Sequence, residues 1–308
     1  MIKFKNFISE WKQWVEAPNL NMKTIKNTGF DIIDNQLQGL RPNQLIILGG
    51  RPGAGKTTFA LNVMNNINGE LAENERILFI SLEQSTSELL QKSISMKTYF
   101  PLKNFYNSEN IIQDLAKENK EEIKELLSTS KLIVIDDTEI KAENIAKVIY
   151  ELQEQQNIVI RAVFVDHVQI LGTNKFYSSK TEQVSLISRE LKKLALSLQI
   201  PVFALSQMSR DWAKEKNKTI PNLTDLRDSG ALEQDADIVM FIYKNEKETS
   251  NLHLQDRLYL TISKNRNGQL AEPQPLIFFS SIAKMVEEAN SQEVQNTYIK
   301  TRAKLFNI

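Results

Sequence analysis

Short, fully apolar runs alternate with amphipathic segments through most of the chain. Apolar runs bounded by helical patterns are typical of parallel strands that are buried on both faces. The last runs follow one another with no helical pattern between them, so we expect an antiparallel edge there. The pattern predicts an α/β fold, a mostly parallel sheet flanked by helices. The runs that predict strands are Gln44–Leu48, Arg76–Ile80, Lys131–Ile135, Ile160–Val165, Pro201–Leu205, Ile238–Ile242, Leu258–Ile262 and Pro275–Phe279.

The same pattern divides the chain into an N-terminal arm over residues 1–21, a core over 22–280 and a C-terminal tail over 281–308. The arm is predicted to be an amphipathic helix that ends at Pro18. So short a helix is marginal in water, so its apolar stripe needs a surface, either on its own domain or on a neighbouring subunit. The tail is polar and predicts a helix from Lys284 to Ile308. The stripe of the arm consists of Phe4, Phe7, Ile8, Trp11 and Val15.

Composition narrows the class of protein. The 308 residues are 41% apolar and 25% charged, as is ordinary for a globular protein. The absence of cysteine excludes disulfides and cysteine-based metal sites and favours a cytoplasmic location. No apolar run has the length of a membrane span. Lys+Arg and Asp+Glu both number 38, so the zero net charge argues mildly against an extended DNA-coating surface but allows a local basic groove.

One glycine-rich run follows the first predicted strand and precedes a predicted helix, Lys56–Ile67. Its spacing, a glycine, four residues and then Gly-Lys-Thr, is that of a P-loop. The backbone N–H groups of such a turn and the positive end of the helix bind the phosphates of a nucleotide. Lys56 is then expected to reach the β- and γ-phosphates and Thr57 to hold Mg²⁺. The predicted nucleotide-binding residues are Gly50, Arg51, Pro52, Gly53, Ala54, Gly55, Lys56, Thr57 and Thr58.

Two carboxylates follow other predicted strands. Asp166 ends a buried strand, where a P-loop ATPase needs a second Mg²⁺ ligand; an aspartate that caps the next turn is the simpler alternative. Glu83 lies just beyond the second strand, where a carboxylate can hold water in line with the γ-phosphate. The alternative for Glu83 is a helix N-terminal residue favoured by the helix dipole. We expect His167, directly after Asp166, to pack or hydrogen-bond rather than to take part in chemistry.

Three further polar residues follow predicted strands. Gln207 ends one of them, and its amide can hydrogen-bond the γ-phosphate and report its loss; a polar strand end is the alternative. Lys264 and Arg266 are two residues apart on an extended segment and therefore point the same way. A solvated charge pair is the simpler explanation. An arginine finger that acts on a neighbouring subunit's nucleotide is the functional one.

The order of these motifs resembles that of the DnaB-type replicative helicases. The segment from Leu223 to Asp237, with Arg227-Asp228-Ser229-Gly230 at its centre, carries the strongest likeness. The resemblance covers roughly Met22 to Phe279. The other matching motifs are Thr28-Gly29-Phe30-Asp31, the P-loop, Ser81-Leu82-Glu83, Leu205-Ser206-Gln207-Met208-Ser209-Arg210 and Lys264-Asn265-Arg266-Asn267-Gly268.

The resemblance implies a RecA-like ATPase domain that assembles as a hexameric ring around single-stranded DNA and uses ATP with Mg²⁺. It assigns catalysis to Glu83, the second acidic Mg²⁺ position to Asp166, and the coupling of nucleotide to DNA to Gln207. It implies that Lys264 and Arg266 reach the neighbour's nucleotide. It places the DNA backbone contacts at Arg227, Asp228 and Gly230. Arg227 can pair with a DNA phosphate, and the glycine at Gly230 allows the DNA backbone to approach closely. Asp228 is expected to orient Arg227.

Some features depart from the family pattern. The short arm stands where the family has a linker helix, without the N-terminal helical domain that usually precedes it. The missing primase-binding collar counts against recruitment of primase, and a helicase loader or primase is the candidate partner. His167 stands where an aromatic residue is more usual, and Asp228 where glutamate is common.

The leading hypothesis is an ATP-driven 5′-to-3′ DNA helicase, encoded by a phage, plasmid or other mobile element. One alternative is an adaptor ATPase that regulates a host replicative helicase without unwinding DNA. Another is a RecA-like recombination motor, which the Arg227–Gly230 segment disfavours.

Overall fold

The computed structural model describes residues 24–106, 119–209, 220–226, 230–245 and 255–306. Within these residues nine strands form one sheet in the order β3-β2-β4-β5-β1-β6-β7-β8-β9. The predicted arm over residues 1–21 lies outside the described residues. The strands are β1 Leu45–Gly50, β2 Glu75–Ser81, β3 Leu132–Ile135, β4 Val159–Asp166, β5 Val202–Gln207, β6 Ile238–Tyr243, β7 Asp256–Asn265, β8 Ala271–Phe279 and β9 Lys284–Glu287.

The sheet is parallel from β3 to β6 and antiparallel from β6 to β9. The predicted α/β class, the predicted strands and the antiparallel edge are therefore confirmed. The helix predicted from Lys284 is wrong over its first four residues, because Lys284–Glu287 pairs with β8. The chain turns back through Ala283 at a positive φ of 52°. Four residues are too few for strand alternation to be recognised in the sequence.

Helices cover both faces of the sheet. The predicted helix over Lys56–Ile67 is confirmed as α1. A capping box, in which Ser85 and Glu88 bond each other's backbone N–H groups, starts α2. The helices are α1, α2 Thr86–Thr98, α3 Lys120–Thr129, α4 Ile145–Gln156, α5 Lys180–Leu198, α6 Gly230–Asp235 and α7 Ser291–Phe306. Shorter helical turns span Ile32–Gln36, Asn68–Glu70, Leu102–Tyr106, Ala142–Asn144, Leu223–Asp225, Ser280–Ile282 and Glu288–Asn290.

The central strand β1 separates two hydrophobic cores. Ile46 and Leu48 belong to the core shared with α1 and α2, and Leu45 and Ile47 to the core shared with α4 and α5. The side chains alternate because successive strand residues point to opposite faces. All four are fully buried, which explains the continuous apolar run in the sequence.

The last strand packs against the helix that follows the P-loop. The buried Asn62 of α1 donates from Nδ2 to the Ala283 carbonyl at 3.0 Å, and its Oδ1 accepts from the Met285 N–H at 3.1 Å. From α7, Val294 and Tyr298 are buried against β8. No helix among the described residues is long and apolar enough to cross a membrane.

Truncation of one ring of a stacked aromatic pair in the core should lower the stability of the fold. Phe164 and Phe203 face each other on β4 and β5, with ring centroids 5.1 Å apart. We expect Phe203→Ala to lower the free energy of unfolding by about 3–5 kcal/mol, because it leaves a cavity under the sheet. Chemical denaturation measures the loss. The matched control is Phe176→Ala, whose ring is 90% exposed; an equal loss in both variants would contradict the assignment of Phe203 to the core.

Candidate nucleotide-binding site

The P-loop forms the turn between β1 and α1. Its conformation requires glycine at Gly53 and Gly55, whose φ angles are 79° and 83°. A Cβ on Gly55 would lie 2.3 Å from Cε of Met285, so the loop also packs too closely against β9 for a side chain. Pro52 and Gly53 are exposed at the tip, Arg51 and Ala54 are half-buried, and Thr58 is buried in the first turn of α1.

Lys56 curls back over the loop. Its Nζ donates to the carbonyls of Gly50 at 3.0 Å and Arg51 at 3.1 Å. Burial lowers the pKa of the Lys56 ammonium, and the nearby Asp166 and Glu83 carboxylates oppose that shift. A buried ammonium that lies among carbonyl oxygens and the backbone N–H groups of a helix start is suited to bind phosphate.

Asp166 at the end of β4 meets the first turn of α1. Thr57 Oγ1 donates to Asp166 Oδ2 at 2.5 Å. Burial raises the pKa of Asp166 to about 6, although the Thr57 hydrogen bond opposes the rise. The other oxygen, Oδ1, is buried and has no hydrogen-bond partner among the described residues. A hydroxyl beside a carboxylate with an unused oxygen is the donor set of a Mg²⁺ site in P-loop proteins, so Thr57 and Asp166 fit the ion.

Glu83 lies beside this pair because β2 and β4 are parallel neighbours, with Ser81 level with Asp166. The Leu82 N–H donates to the Asp166 carbonyl at 2.7 Å, so the two strand ends stay joined beyond the ladder. Glu83 Oε1 lies 3.3 Å from Nδ1 of His167. Ligand atoms of Glu83, Asp166 and His167 all lie within 4.8 Å of one another. Burial lowers the pKa of the His167 imidazole, and the Glu83 carboxylate opposes the shift.

Gln207 ends β5 level with Gly50. Its N–H donates to Oε1 of Gln169 at 3.1 Å, and the next residue, Met208, donates its N–H to the Gly50 carbonyl at 3.2 Å. Gln169 also donates from Nε2 to Ser206 Oγ at 2.8 Å. Gln169 was not predicted to contribute to the site, because nothing in the sequence links a glutamine after β4 to the end of β5.

Glu83 and Asp166 lie at the edge where the parallel strands end. Lys264 and Arg266 lie at the opposite edge, where β1 begins, and are not brought together with them. Lys264 Nζ donates to the Glu233 carbonyl at 2.5 Å and the Ala236 carbonyl at 2.7 Å. Arg266 Nη1 lies 3.3 Å from Asp237 Oδ1.

Asp237 anchors this second cluster, although in the sequence it was only the last residue of the DnaB-like segment and no role was predicted for it. Its Oδ2 accepts from Lys192 Nζ at 2.6 Å and from the Leu45 N–H at 2.8 Å. An aspartate that directly precedes β6 carries no sequence signal for a contact with the start of β1. The buried carboxylate thus joins the start of β1, helix α5 and the strand end that carries Arg266.

The segment predicted to contact DNA is described only in part. Arg227 and Asp228 lie outside the described residues, and Gly230 is exposed at the start of α6. The residues before the segment are joined to the end of β5. Met208 and Leu226 form an isolated antiparallel bridge, and the Ser209 N–H donates to the Asp225 carbonyl at 2.7 Å.

The chain is similar in sequence to replicative DNA helicases. The chain is 32% identical over 244 residues to the replicative DNA helicase DnaB of Buchnera aphidicola subsp. Baizongia pistaciae, covering 79% of this chain and 52% of that protein. It is 33% identical over 245 residues to the replicative DNA helicase DnaC of Bacillus subtilis, covering 78% and 52%. The chain thus spans about half the length of the curated relatives it matches.

A solved structure agrees as well. A DnaB-like replicative helicase, described with its interactions with primase, superposes with a TM-score of 0.76 at 26% identity, covering 92% of this chain and 68% of that chain. The sequence model of the family described as "DnaB-like helicase C terminal domain" matches residues 26–287 of this chain. By this match over most of its length, the chain belongs to the DnaB-like helicase C-terminal domain family, with the RecA-like fold of that domain.

Proposed function

We propose that this chain is the motor of a replicative DNA helicase, which hydrolyses ATP with Mg²⁺ and moves 5′ to 3′ on single-stranded DNA as a hexameric ring. The observation that carries the proposal is that the polar residues of the predicted site lie in two groups at opposite edges of the sheet. The phosphate-binding loop, Glu83 and Asp166 lie at one edge of the sheet, and Lys264 and Arg266 lie at the other. Such a division suits a site that is completed only when one subunit meets the next.

The distance between the two edges supports an action in trans. Arg266 lies level with Leu45, since Arg266 N–H donates to the Asp237 carbonyl and Asp237 N–H to the Leu45 carbonyl. Gly50 is five residues further along β1. At about 3.3 Å per residue the loop is roughly 16 Å away along the strand. An arginine side chain does not span that distance. A head-to-tail contact between subunits, the kind that closes into rings, would bring Arg266 to a neighbour's phosphates.

Each residue then has a chemical role. Lys56 and the backbone N–H groups of the P-loop bind the phosphates, and Glu83 orients and deprotonates the attacking water. Bound to Thr57 and Asp166, Mg²⁺ would neutralise charge on the phosphates. From the next subunit, Lys264 and Arg266 stabilise the negative charge that develops in the transition state.

The same geometry suggests how a change in the bound nucleotide is transmitted to the residues that contact DNA. Gln207 lies beside the P-loop, and the residues that follow it are bonded to Asp225 and Leu226, which precede the predicted DNA segment. A change at the γ-phosphate could therefore move this segment, in which Arg227 binds a DNA phosphate, Asp228 orients Arg227 and Gly230 allows close approach. Backbone contacts suit a motor that must move along any sequence. Primase or a helicase loader is the further partner that we propose.

The first test is the ATPase rate and the native mass, each with and without single-stranded DNA. We expect a hexamer whose ATP hydrolysis rises on DNA and which unwinds a forked duplex from the 5′ strand. A monomer or dimer whose hydrolysis ignores DNA would contradict the motor and would favour an adaptor ATPase that acts on another helicase.

Subunit mixing tests the action in trans. We expect Arg266→Ala and Lys56→Ala each to abolish hydrolysis, and mixed rings to regain part of it, because some interfaces then combine an intact loop with an intact arginine. Native mass spectrometry verifies that mixed rings form. Arg189→Ala, on the exposed side of α5, is the matched control and should keep full activity. Mixed rings without any recovered activity would count against the interfacial site.

The pH dependence of nucleotide binding tests the Mg²⁺ ligand. Burial raises the pKa of Asp166 to about 6, so the carboxyl is protonated below that pH and charged above it. A Mg²⁺ ligand must be deprotonated, so the extra affinity that Mg²⁺ gives to ATP should fall as pH drops from 7 to 5.5. Titration with a fluorescent ATP analogue, with and without Mg²⁺, measures this difference. Asp166→Asn should remove both the Mg²⁺ effect and its pH dependence; a variant that keeps them would exclude Asp166 as the ligand.

A further inference from the structure

We infer that His167 is a positioning residue for Glu83: Nδ1 of the buried imidazole lies 3.3 Å from the Glu83 carboxylate, and by donating a hydrogen bond when the two groups align it keeps that carboxylate aimed at the attacking water. The inference rests on the proposed function, in which Glu83 is the catalytic carboxylate. It concerns a residue that the sequence analysis placed in packing or hydrogen bonding only.

The backbone around Glu83 is already held. The Leu82 N–H donates to the Asp166 carbonyl at 2.7 Å, and Ser81 Oγ donates to the Gln84 carbonyl at 2.6 Å. The side chain is not held in the same way. It is 40% exposed and turns about three torsions, and among the described residues the basic side chain within 4.0 Å of its carboxylate is His167. A carboxylate that must hold water in line needs its torsions restricted as well as its backbone.

His167 has the rigidity for this task. It is 2% exposed, and its carbonyl accepts from the N–H groups of Ile170 at 3.0 Å and Leu171 at 3.4 Å, so it starts a closed turn. These bonds hold the backbone of His167 and burial restricts its ring, so the imidazole is held at the end of β4, which also carries Asp166. Because His167 and Glu83 follow neighbouring parallel strands, their relative position is set by the sheet.

The ring nitrogen lacks another partner. Nδ1 is buried and makes no aligned hydrogen bond with any described residue. It lies 3.3 Å from Glu83 Oε1 and 3.9 Å from Asp166 Oδ1. A buried donor is costly to leave unpaired, and Glu83 is the nearer acceptor. A small rotation of the Glu83 side chain would align the bond, and that rotation would set the direction of its other oxygen.

Two variants separate positioning from packing. His167→Asn keeps an N–H donor near the place of Nδ1 but is smaller than the imidazole. His167→Phe fills the space but has no donor. If the role is positioning, His167→Phe should lower kcat about 10- to 100-fold with little change in KM, since a small misplacement of a catalytic group has an effect of that order. His167→Asn should keep most of kcat.

The opposite ranking, with Phe active and Asn impaired, would overturn the inference and leave a packing role. Equal kcat in both variants would overturn it too. Thermal melting and binding of a fluorescent ATP analogue verify that each variant is folded. If His167→Phe does not fold, His167→Met takes its place as an apolar side chain without a donor, with the same expected loss.

A double-mutant cycle with Glu83→Gln identifies the group on which His167 acts. In the Glu83→Gln background, His167→Phe should change the remaining rate by less than about 2-fold, because residues that act as one unit are not additive. Losses that multiply would show that His167 acts on something other than Glu83. A wild-type chain without Mg²⁺-dependent ATP hydrolysis would instead refute the proposed function. An active wild type with an equally active His167→Phe would refute only the inference.

Discussion

The parallel pairing of β1, β2, β4 and β5 is the constraint on which the site depends. Parallel strands end at the same edge of a sheet, so residues far apart in the chain come together there. Gly50 lies level with Gln207, and Ser81 lies level with Asp166. The hydrogen bond from Thr57 to Asp166 then ties the helix after the P-loop to the strand two places away in the sheet. Without the parallel register, the loop, the two carboxylates and the glutamine would not share one edge.

The antiparallel part of the sheet has the opposite effect on the second polar cluster. Because β7 runs against β6, its last residues return to the edge where β1 begins. There Asp237 joins the start of β1 to Lys192 and Arg266. One sheet therefore carries two polar clusters, one at each edge. Such a separation fits the proposed motor, in which each subunit binds one nucleotide and senses another.

Much of the fold could be predicted from local patterns. The continuous apolar runs marked the parallel strands, because burial on both faces removes every polar position. The glycine spacing marked the turn before α1, because Gly53 and Gly55 take positive φ angles that other residues resist. β9 could not be predicted in this way, since its pairing with β8 and its contact with Asn62 are long-range. The contact of Gln169 with the end of β5 could not be predicted for the same reason.

The sequence by itself determined which functional groups the chain carries: a phosphate-binding loop, carboxylates after apolar strands, and the basic pair Lys264 and Arg266. These signals are local, because they depend on residue type, spacing and the periodicity of strand or helix. Only the tertiary structure decided which of these groups meet. It placed Glu83 and Asp166 with the P-loop, held Arg266 at the opposite edge, and set the buried His167 against Glu83. Strand order and direction make that choice, and they arise from packing between distant segments rather than from any segment alone.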